Sequence, residues 1–234
     1  MSGDPKKDVA NSALATVDKF FDGVYKILQE WAPQVQQDIS AQLSNGPLNS
    51  AQLAQLVETE SINILTESDL PIYGAGFCAA EKIVDQGNPL AWWQGPAHEP
   101  LASSTFGVGP GAVDLRRLEW YRVPEISGEF NIAGPFVDYL CSNEVTITSS
   151  LPLTIGGHFA GVLCLDVLVS QLEESLLPKL QDGYTVTLMN ANRRVVFSTD
   201  NASETGDKLP QSRIETAGTV SLHSQKYPFV IIVG

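Results

Sequence analysis

The spacing of apolar residues in the first third of the chain predicts two helices. In residues 8–43 apolar side chains recur every three or four positions, which is the spacing of one helix face. These positions are Val9, Ala13, Val17, Phe20, Val24, Ile27 or Leu28, Trp31, Val35 and Ile39. Pro33 should kink or split this helix, because its ring clashes with the preceding turn. After an Asn-Gly-Pro turn, Asn49 or Ser50 can cap a second helix over residues 51–66.

The first helix has two interpretations that the sequence does not separate. At 1.5 Å per residue it would be on the order of 50 Å long, which is more than a compact domain of this size needs. It is either a dimerisation helix that packs against a second copy or a core helix that lies along one domain.

From residue 72 onward the pattern changes to strands and turns. Two runs rich in β-branched and apolar residues flank Gly156-Gly157, which is a hairpin signal. The predicted strands cover residues 72–80, 88–94, 145–153, 159–167, 184–190, 194–198, 220–223 and 229–233, and residues 118–121 also look extended. A Leu-rich helix ends at Lys179. The prediction is an α+β fold, with a helical region in residues 1–70 and an antiparallel sheet domain in residues 71–234.

Two further features bear on a binding site. Residues 98–114 are polar and rich in Gly and Pro, which predicts a long irregular loop, either a binding lid or a disordered insertion. Trp92 and Trp93 are adjacent on a predicted strand, so they point to opposite faces of the sheet. One should enter the core, and the other should line a pocket or lie under the long helix.

Composition and charge exclude several classes of partner. The chain has 234 residues, 27 acidic against 14 basic, and a net charge of -13. Nucleic acid and anionic membranes both require a basic surface, so neither is an expected partner. No signal peptide and no apolar stretch of about 18 residues is visible. We therefore expect a cytoplasmic protein without a membrane span, or an extracellular or periplasmic one if the chain is an excised sensor.

Neither metal nor catalytic chemistry is indicated. The three cysteines, Cys78, Cys141 and Cys164, lack CxxC spacing and are predicted to be free thiols rather than disulfide partners or zinc ligands. The three histidines are scattered, and HExxH, GxSxG and Walker motifs are absent from the sequence. We expect no enzyme, no metal and no cofactor.

Five pieces of the sequence, taken in order, resemble the Cache domains, the PAS-like extracellular sensor modules of bacterial receptors. The family pattern is roughly WY, then PYxD, then ITxSxPV, then GxFxGVxGxD, followed by a helix. The matching pieces are Trp120-Tyr121, residues 134–138, residues 146–152, residues 157–166 and the Leu-rich helix after them. The resemblance covers residues 71–234, and it implies a PAS-like sheet with pocket-forming loops on one face.

The resemblance also implies a set of ligand-binding residues. In the amine- and amino-acid-binding Cache domains, aromatic residues stack on the ligand ammonium group and two aspartates hold its charge. Carried over position by position, and with an aromatic residue of the preceding strand, the set is Trp93, Trp120, Tyr121, Phe136, Asp138 and Asp166. A cation over an aromatic face gains about 0.5 to 2 kcal/mol, and a buried carboxylate adds a charge-assisted hydrogen bond.

Two departures from the family pattern change the expected ligand. The amino-acid-binding members have an arginine two residues before the Trp, and Leu118 stands there in this chain. Phe136 replaces the tyrosine of PYxD. Both changes favour amines over intact amino acids, with small carboxylates as a third choice.

Structural alternatives remain open for the same residues. Asp138 is otherwise an exposed turn residue, Asp166 is otherwise a cap of the following helix, and Trp120 and Tyr121 are otherwise core residues. The functional expectation is a small-molecule sensor that acts in signal transduction through a regulator or receptor partner, as a homodimer. The competing expectation is a Cache-fold scaffold without a ligand.

Overall fold

The computed structural model describes residues 4–101, 114–139, 142–180 and 183–234. The predicted α+β class is confirmed. The helices are α1 (Pro5–Leu43), α2 (Ser50–Glu67), α3 (Glu119–Ser127), α4 (Val169–Leu180) and α5 (Gln211–Ile214), with a 3-10 turn at Leu115–Arg117. The strands are β1 (Leu48–Asn49), β2 (Gly74–Ala79), β3 (Val84–Gln86), β4 (Leu90–Gln94), β5 (Glu99–Pro100), β6 (Asn131–Val137), β7 (Val145–Ile155), β8 (His158–Leu168), β9 (Val186–Asn190), β10 (Val195–Ser198), β11 (Val220–His223) and β12 (Phe229–Val233).

The strands after residue 71 form two antiparallel sheets, where the sequence predicted one. The first sheet has six strands in the order β5-β4-β2-β8-β7-β6, and the second has four in the order β10-β9-β12-β11. The strands that follow α4 pair only with one another. These strands lie after α4 in the chain. Alternation along the sequence shows which residues share one face of a strand, but it does not show which strands pair. A short parallel bridge joins β1 to β3.

The long helix α1 lies along both sheets. It begins at Pro5, with the Asp4 side chain accepting a hydrogen bond from the Lys6 backbone N–H, and it is not split at Pro33. Trp31, Ala32 and Val35 around the proline are all buried. Packing of this face therefore offsets the hydrogen bond that proline cannot make.

The apolar stripe of α1 is covered within this chain. The helix packs against β7 of the first sheet, β11 and β12 of the second, α2 and α4. Its buried face is the stripe predicted from the sequence, with Leu28 as the inward residue of the Ile27–Leu28 choice. A helix that uses its apolar face inside one chain has the role of a core helix. Dimerisation stays a prediction.

The second helix and the central hairpin agree with their sequence signals. Asn49 caps α2 in a reciprocal arrangement with Gln52, each side chain bonding the other residue's backbone N–H. Strands β7 and β8 are joined by Gly156 and Gly157, both with positive φ angles of 58° and 79°. Two consecutive residues with positive φ form the tight turn that suits a two-residue hairpin loop.

The segment that was expected to be extended near Trp120 is helical, so that prediction is wrong. Residues Glu119–Ser127 form α3, which ends at Gly128 in the left-handed conformation. An acidic residue in the first turn and a glycine after the last are ordinary helix start and stop signals. Because a helix replaces the strand, Trp120 and Tyr121 do not alternate across a sheet.

Candidate functional site

A small cavity lies between the first sheet and α3. Its volume is about 30 Å³, which is room for about two water molecules. Strands β4, β6, β7 and β8, the 3-10 turn, α3 and the segment after β6 all contribute to its wall. The lining residues are Leu90, Trp92, Leu115, Trp120, Phe136, Asp138, Thr148, Cys164 and Asp166. Four of the six residues predicted for the site are therefore brought together in one place.

Asp166 is the carboxylate at the base of this cavity. It lies within β8, opposite Gly74 of β2 and Thr148 of β7, and it is 5% exposed. Its Oδ1 accepts a hydrogen bond of 2.6 Å from the Thr148 hydroxyl. Burial raises the pKa of Asp166 to about 8, and the nearby Asp138 adds to the rise, while the Thr148 bond opposes it. Among the described residues that set this pKa, none carries a positive charge.

Asp138 lies in the same cavity and is buried, at 7% exposed. It follows β6, where its backbone N–H donates to the Glu144 carbonyl and its own carbonyl accepts from Asn143 N–H. These bonds close the turn between β6 and β7. Asp138 therefore belongs to the turn, but it is buried there and not exposed.

Aromatic rings form the walls around the two carboxyl groups. Trp120 comes from α3, Phe136 from β6 and Trp92 from β4. The Trp92 indole N–H donates to the Gln94 side-chain oxygen at 3.2 Å. Faces of aromatic rings carry partial negative charge, so these walls add to the negative character of the cavity.

Trp93 was predicted to belong to the binding site, but the structure does not place it in the cavity. Trp93 points to the opposite face of the first sheet, into the main core, where it is 3% exposed. This face of the sheet is covered by α2, which packs on β4. Because adjacent strand residues face opposite ways, burial of Trp93 in the core places Trp92 in the cavity wall.

Tyr121 is placed behind the cavity and does not line it. It is 1% exposed and packs edge-to-face on Phe159, with ring centroids 5.5 Å apart. It belongs to a small apolar cluster that also contains Trp92, Cys78 and Cys164. Tyr121 therefore supports the cavity wall from behind.

No Lys, Arg or His lines the cavity in the part of the chain that the structure describes. Leu118, at the position of the family's arginine, is a partly buried neighbour of the small apolar cluster. Arg116 is bound to Asp114 and Glu81, and Arg117 is 87% exposed beside Asp114. Neither arginine is among the residues that line the cavity.

A wider groove adjoins the cavity on its outer side. It encloses about 410 Å³ and shares Trp120, Phe136 and Asp138 with the inner cavity. Its other described lining residues are Leu118, Glu119, Val137 and Tyr139, and Tyr139 is 78% exposed. The two spaces together offer a small acidic interior and a larger, mostly apolar entrance.

Several lining residues were not predicted from the sequence. Thr148 and Cys164 lie on the central strands, and Trp92, Leu90 and Leu115 complete the wall. Gly74 and Gly76 are a sequence signal for the position of Trp92. A Cβ atom added at Gly74 or Gly76 would come within 2.5 or 2.7 Å of the Trp92 ring. A pair of glycines on the neighbouring strand is what makes room for a large ring there.

The structure describes two of the three cysteines. Cys78 and Cys164 are free and buried, and burial raises the pKa of both thiols, whereas Cys141 lies outside the described residues. Most of the predicted 98–114 loop, residues 102–113, is also outside the described residues.

Among the residues that are described, no cluster of His, Cys, Asp or Glu suits a metal ion. The described helices include none that combines the length and the apolar character needed to cross a membrane.

Comparison with solved structures finds the same fold in chemoreceptor ligand-binding domains. The domain of the Pseudomonas aeruginosa PAO1 amino acid chemoreceptor PctC, in complex with GABA, matches with a TM-score of 0.58 at 13% identity, covering 96% of each chain. The domain of Campylobacter jejuni Tlp3 with L-valine matches at 0.64 and 13%, covering 98% of this chain and 90% of that one. Pseudomonas fluorescens CtaA with L-valine matches at 0.60 and 15%, covering 96% and 93%.

Sequence comparison adds nothing to this result, because no model of a known protein family and no curated protein matches the chain. The likeness in structure extends over nearly the whole chain, including α1 and both sheets. The chain shares the α+β fold of these chemoreceptor ligand-binding domains. The predicted fold is thus confirmed.

Proposed function

We propose that this chain is a small-molecule sensor domain that binds a protonated amine at Asp138 and Asp166. The observation that carries the proposal is the presence of two buried carboxyl groups in one aromatic-walled cavity that has no basic side chain among its described lining residues. A ligand ammonium group would bring a positive charge into this cavity. It would be held by a charge-assisted hydrogen bond to carboxylate and by contact with aromatic faces.

The size of the two spaces supports a ligand with a small charged head. The inner cavity fits a group of about two heavy atoms, and the rest of the ligand extends into the outer groove along Trp120 and Phe136. Amino acids are bound by similar domains, such as Tlp3 with L-valine. In this chain Leu118 offers no partner for a ligand carboxylate, which favours an amine over an intact amino acid or a small carboxylate.

The sensor would act in signal transduction through a regulator or receptor partner, as is suggested by the similar domains, which belong to chemoreceptors. A homodimer is part of the proposal, with the polar outer face of α1 as one available surface. The similar structures are sensor domains rather than enzymes, and we expect no catalytic activity. The location stays a proposal between the cytoplasm and the extracellular or periplasmic side.

A ligand titration tests the proposal directly. Calorimetry and thermal unfolding should be measured with methylammonium, butylamine, phenethylamine, L-valine, GABA and acetate. We expect the amines to raise the unfolding midpoint, since a ligand at about 100 times its Kd adds roughly 2.7 kcal/mol to the free energy of unfolding. Asp166→Asn and Asp138→Asn should each weaken amine binding about tenfold or more, as expected for loss of a buried charged partner.

The matched control is Asp69→Asn, which removes one exposed carboxylate from a groove between α1 and α2. It should leave amine binding unchanged. Binding of L-valine or acetate alone would keep the sensor role and overturn the amine. If none of the compounds shifts the midpoint, the ligand-free scaffold is the better account.

A further inference from the structure

The side chain of Asn190 joins the second sheet to the first. Asn190 ends β9 and is 9% exposed. Its Nδ2 donates a hydrogen bond of 2.7 Å to the carbonyl oxygen of Gly134 in β6. Its Oδ1 accepts from the backbone N–H groups of Asn192 and Arg194, each at 2.9 Å. One buried amide therefore closes the turn between β9 and β10 and also reaches across to the other sheet.

Gly134 lies at the irregularity that orients a wall of the cavity. The β6–β7 pairing shifts register between Ala133 and Phe136, and Gly134 has a φ of +121°. A Cβ atom there would lie 2.7 Å from the Thr146 carbonyl oxygen, so the backbone approaches its neighbour closely. An extra residue in one strand redirects the side chains that follow it. Phe136, two positions later, is the side chain that enters the cavity.

The same bulge is also connected to the buried carboxyl group. Asp166 accepts the hydrogen bond from Thr148, and Thr148 lies opposite Ala133 across the β6–β7 ladder. A continuous set of contacts thus runs from Asp166 through β7 to the bulge, and from the Gly134 carbonyl to Asn190. Coupling between sites requires such an element to respond to changes at one end.

We propose that Asn190 is a positioning residue that couples the cavity to the second sheet. Its amide fixes the bulge that aims Phe136, so a change around Asp166 alters the end of β9. This inference rests on the proposed function in one respect, because a bound amine would be the natural cause of such a change. The coupling itself belongs to the protein without ligand and is tested without one.

The test uses Met189 as a reporter beside Asn190. Met189 is buried in β9, and Met1 is the other of the two methionines, so methyl-labelled protein gives two assignable signals. Asp166→Ala removes the acceptor of the Thr148 hydroxyl and perturbs the cavity. In the otherwise unchanged protein, this substitution should shift the Met189 methyl signal. The same shift should be lost in the Asn190→Asp background.

Asn190→Asp is the sharpest variant because one carboxylate oxygen can keep both acceptor bonds of the turn, while the other replaces the donor and breaks the bond to the Gly134 carbonyl. The matched control is Ser198→Ala, which deletes the Thr187–Ser198 hydroxyl contact of 2.7 Å within the second sheet. In the Ser198→Ala background, Asp166→Ala should still shift the Met189 methyl signal. Circular dichroism checks folding, and Asn190→Ser repeats the test if the aspartate variant does not fold.

Two results would overturn the coupling. One is an equal Met189 shift with and without the Asn190 donor, and the other is no shift on Asp166→Ala in the otherwise unchanged protein. Neither depends on whether an amine binds. Conversely, failure of the amine titration would leave a positive Met189 result intact, so the two proposals fail separately.

Discussion

At the scale of single residues, Asp166 shows how an environment rather than a motif sets chemical behaviour. The carboxyl group is buried, accepts one hydroxyl bond and lies near a second acid. Burial and the nearby acid favour the protonated form, and together they outweigh the hydrogen bond. These surroundings therefore favour the protonated form of Asp166 near neutral pH.

We expect Asp166→Asn to change the pH dependence of stability. In the folded protein the pKa of Asp166 is about 8, against 3.8 for the ordinary group, so the folded state binds the extra proton between those values. The free energy of unfolding should fall as pH rises through this window, by at most about 1.4 kcal/mol per pH unit for this group. Urea unfolding from pH 5 to 8 should show a flatter profile and greater stability at pH 8 for Asp166→Asn. Parallel profiles for the two proteins would contradict a raised pKa.

The same protonation equilibrium predicts pH-dependent binding of the proposed amine ligand. A cation binds the ionised form of Asp166, and an alkylamine itself stays protonated in this range. Affinity should therefore rise with pH toward about 8, by up to about tenfold per unit. Calorimetry of butylamine at pH 6, 7 and 8 measures this, and Asp166→Asn provides the control because its residual binding should vary little. Affinity that is constant with pH would rule out Asp166 as the titrating partner.

Trp120 gives a separate prediction about the aromatic wall. Its ring lines both the inner cavity and the outer groove. Trp120→Ala should weaken amine binding by about 0.5 to 2 kcal/mol, the range of a cation–π contact. Trp120→Phe retains an aromatic face and should keep most of the affinity in the same titration. Equal losses for both variants would point to packing rather than to the ring face.

At the scale of elements, α1 stabilises the molecule by packing across the sheets. Phe21 is fully buried and stacks on Phe229 of β12, with ring centroids 4.7 Å apart. Nearby, Asp22 accepts hydrogen bonds from Lys226 at 2.7 Å and Tyr227 at 2.8 Å, just before β12. The apolar contact is the larger contribution, because the Lys226–Asp22 pair is about half exposed and exposed ion pairs contribute little.

We therefore expect Phe21→Ala to lower the free energy of unfolding by about 3 to 5 kcal/mol, the usual cost of deleting a buried ring. Lys26→Ala serves as the control on the same helix, because its ion pair with Glu30 is exposed on both sides. Its effect should stay within about 0.5 kcal/mol. Denaturant unfolding of the three proteins measures both values. Similar losses for the two variants would mean that the Phe21 contact is not part of the core.

At the scale of the whole molecule, α1 joins the two sheets through one apolar core, so we expect them to unfold as one cooperative unit. It contacts β7 in the first sheet and β11 and β12 in the second, and one apolar core includes residues of both. Elements that share a core unfold together when neither part is stable alone.

Hydrogen exchange should show this cooperativity. The backbone amides of Leu163 in β8 and Ile231 in β12 are expected to exchange with the same free energy of opening. Phe21→Ala should lower both values equally, although Phe21 contacts only the second sheet directly in its ring stack. Loss of protection at Ile231 alone would instead show two independently stable units.

The sequence by itself determined the local elements whose signals lie within a few residues. The apolar stripe predicted α1, a cap at Asn49 or Ser50 predicted the start of α2, and Gly156-Gly157 predicted the central hairpin. These features depend on neighbouring positions, so period and turn chemistry were sufficient. The helix at Trp120 was not predicted, although Glu119 and Gly128 are local start and stop signals.

The tertiary structure alone decided which residues meet. Four predicted site residues converge on one cavity, but strand pairing and helix placement put Trp92 there in place of Trp93 and moved Tyr121 behind the wall. Pairing of distant strands also decided that there are two sheets rather than one. The reason is physical: the direction in which a side chain points follows from its own backbone. What it faces depends on the packing of segments far away in the chain.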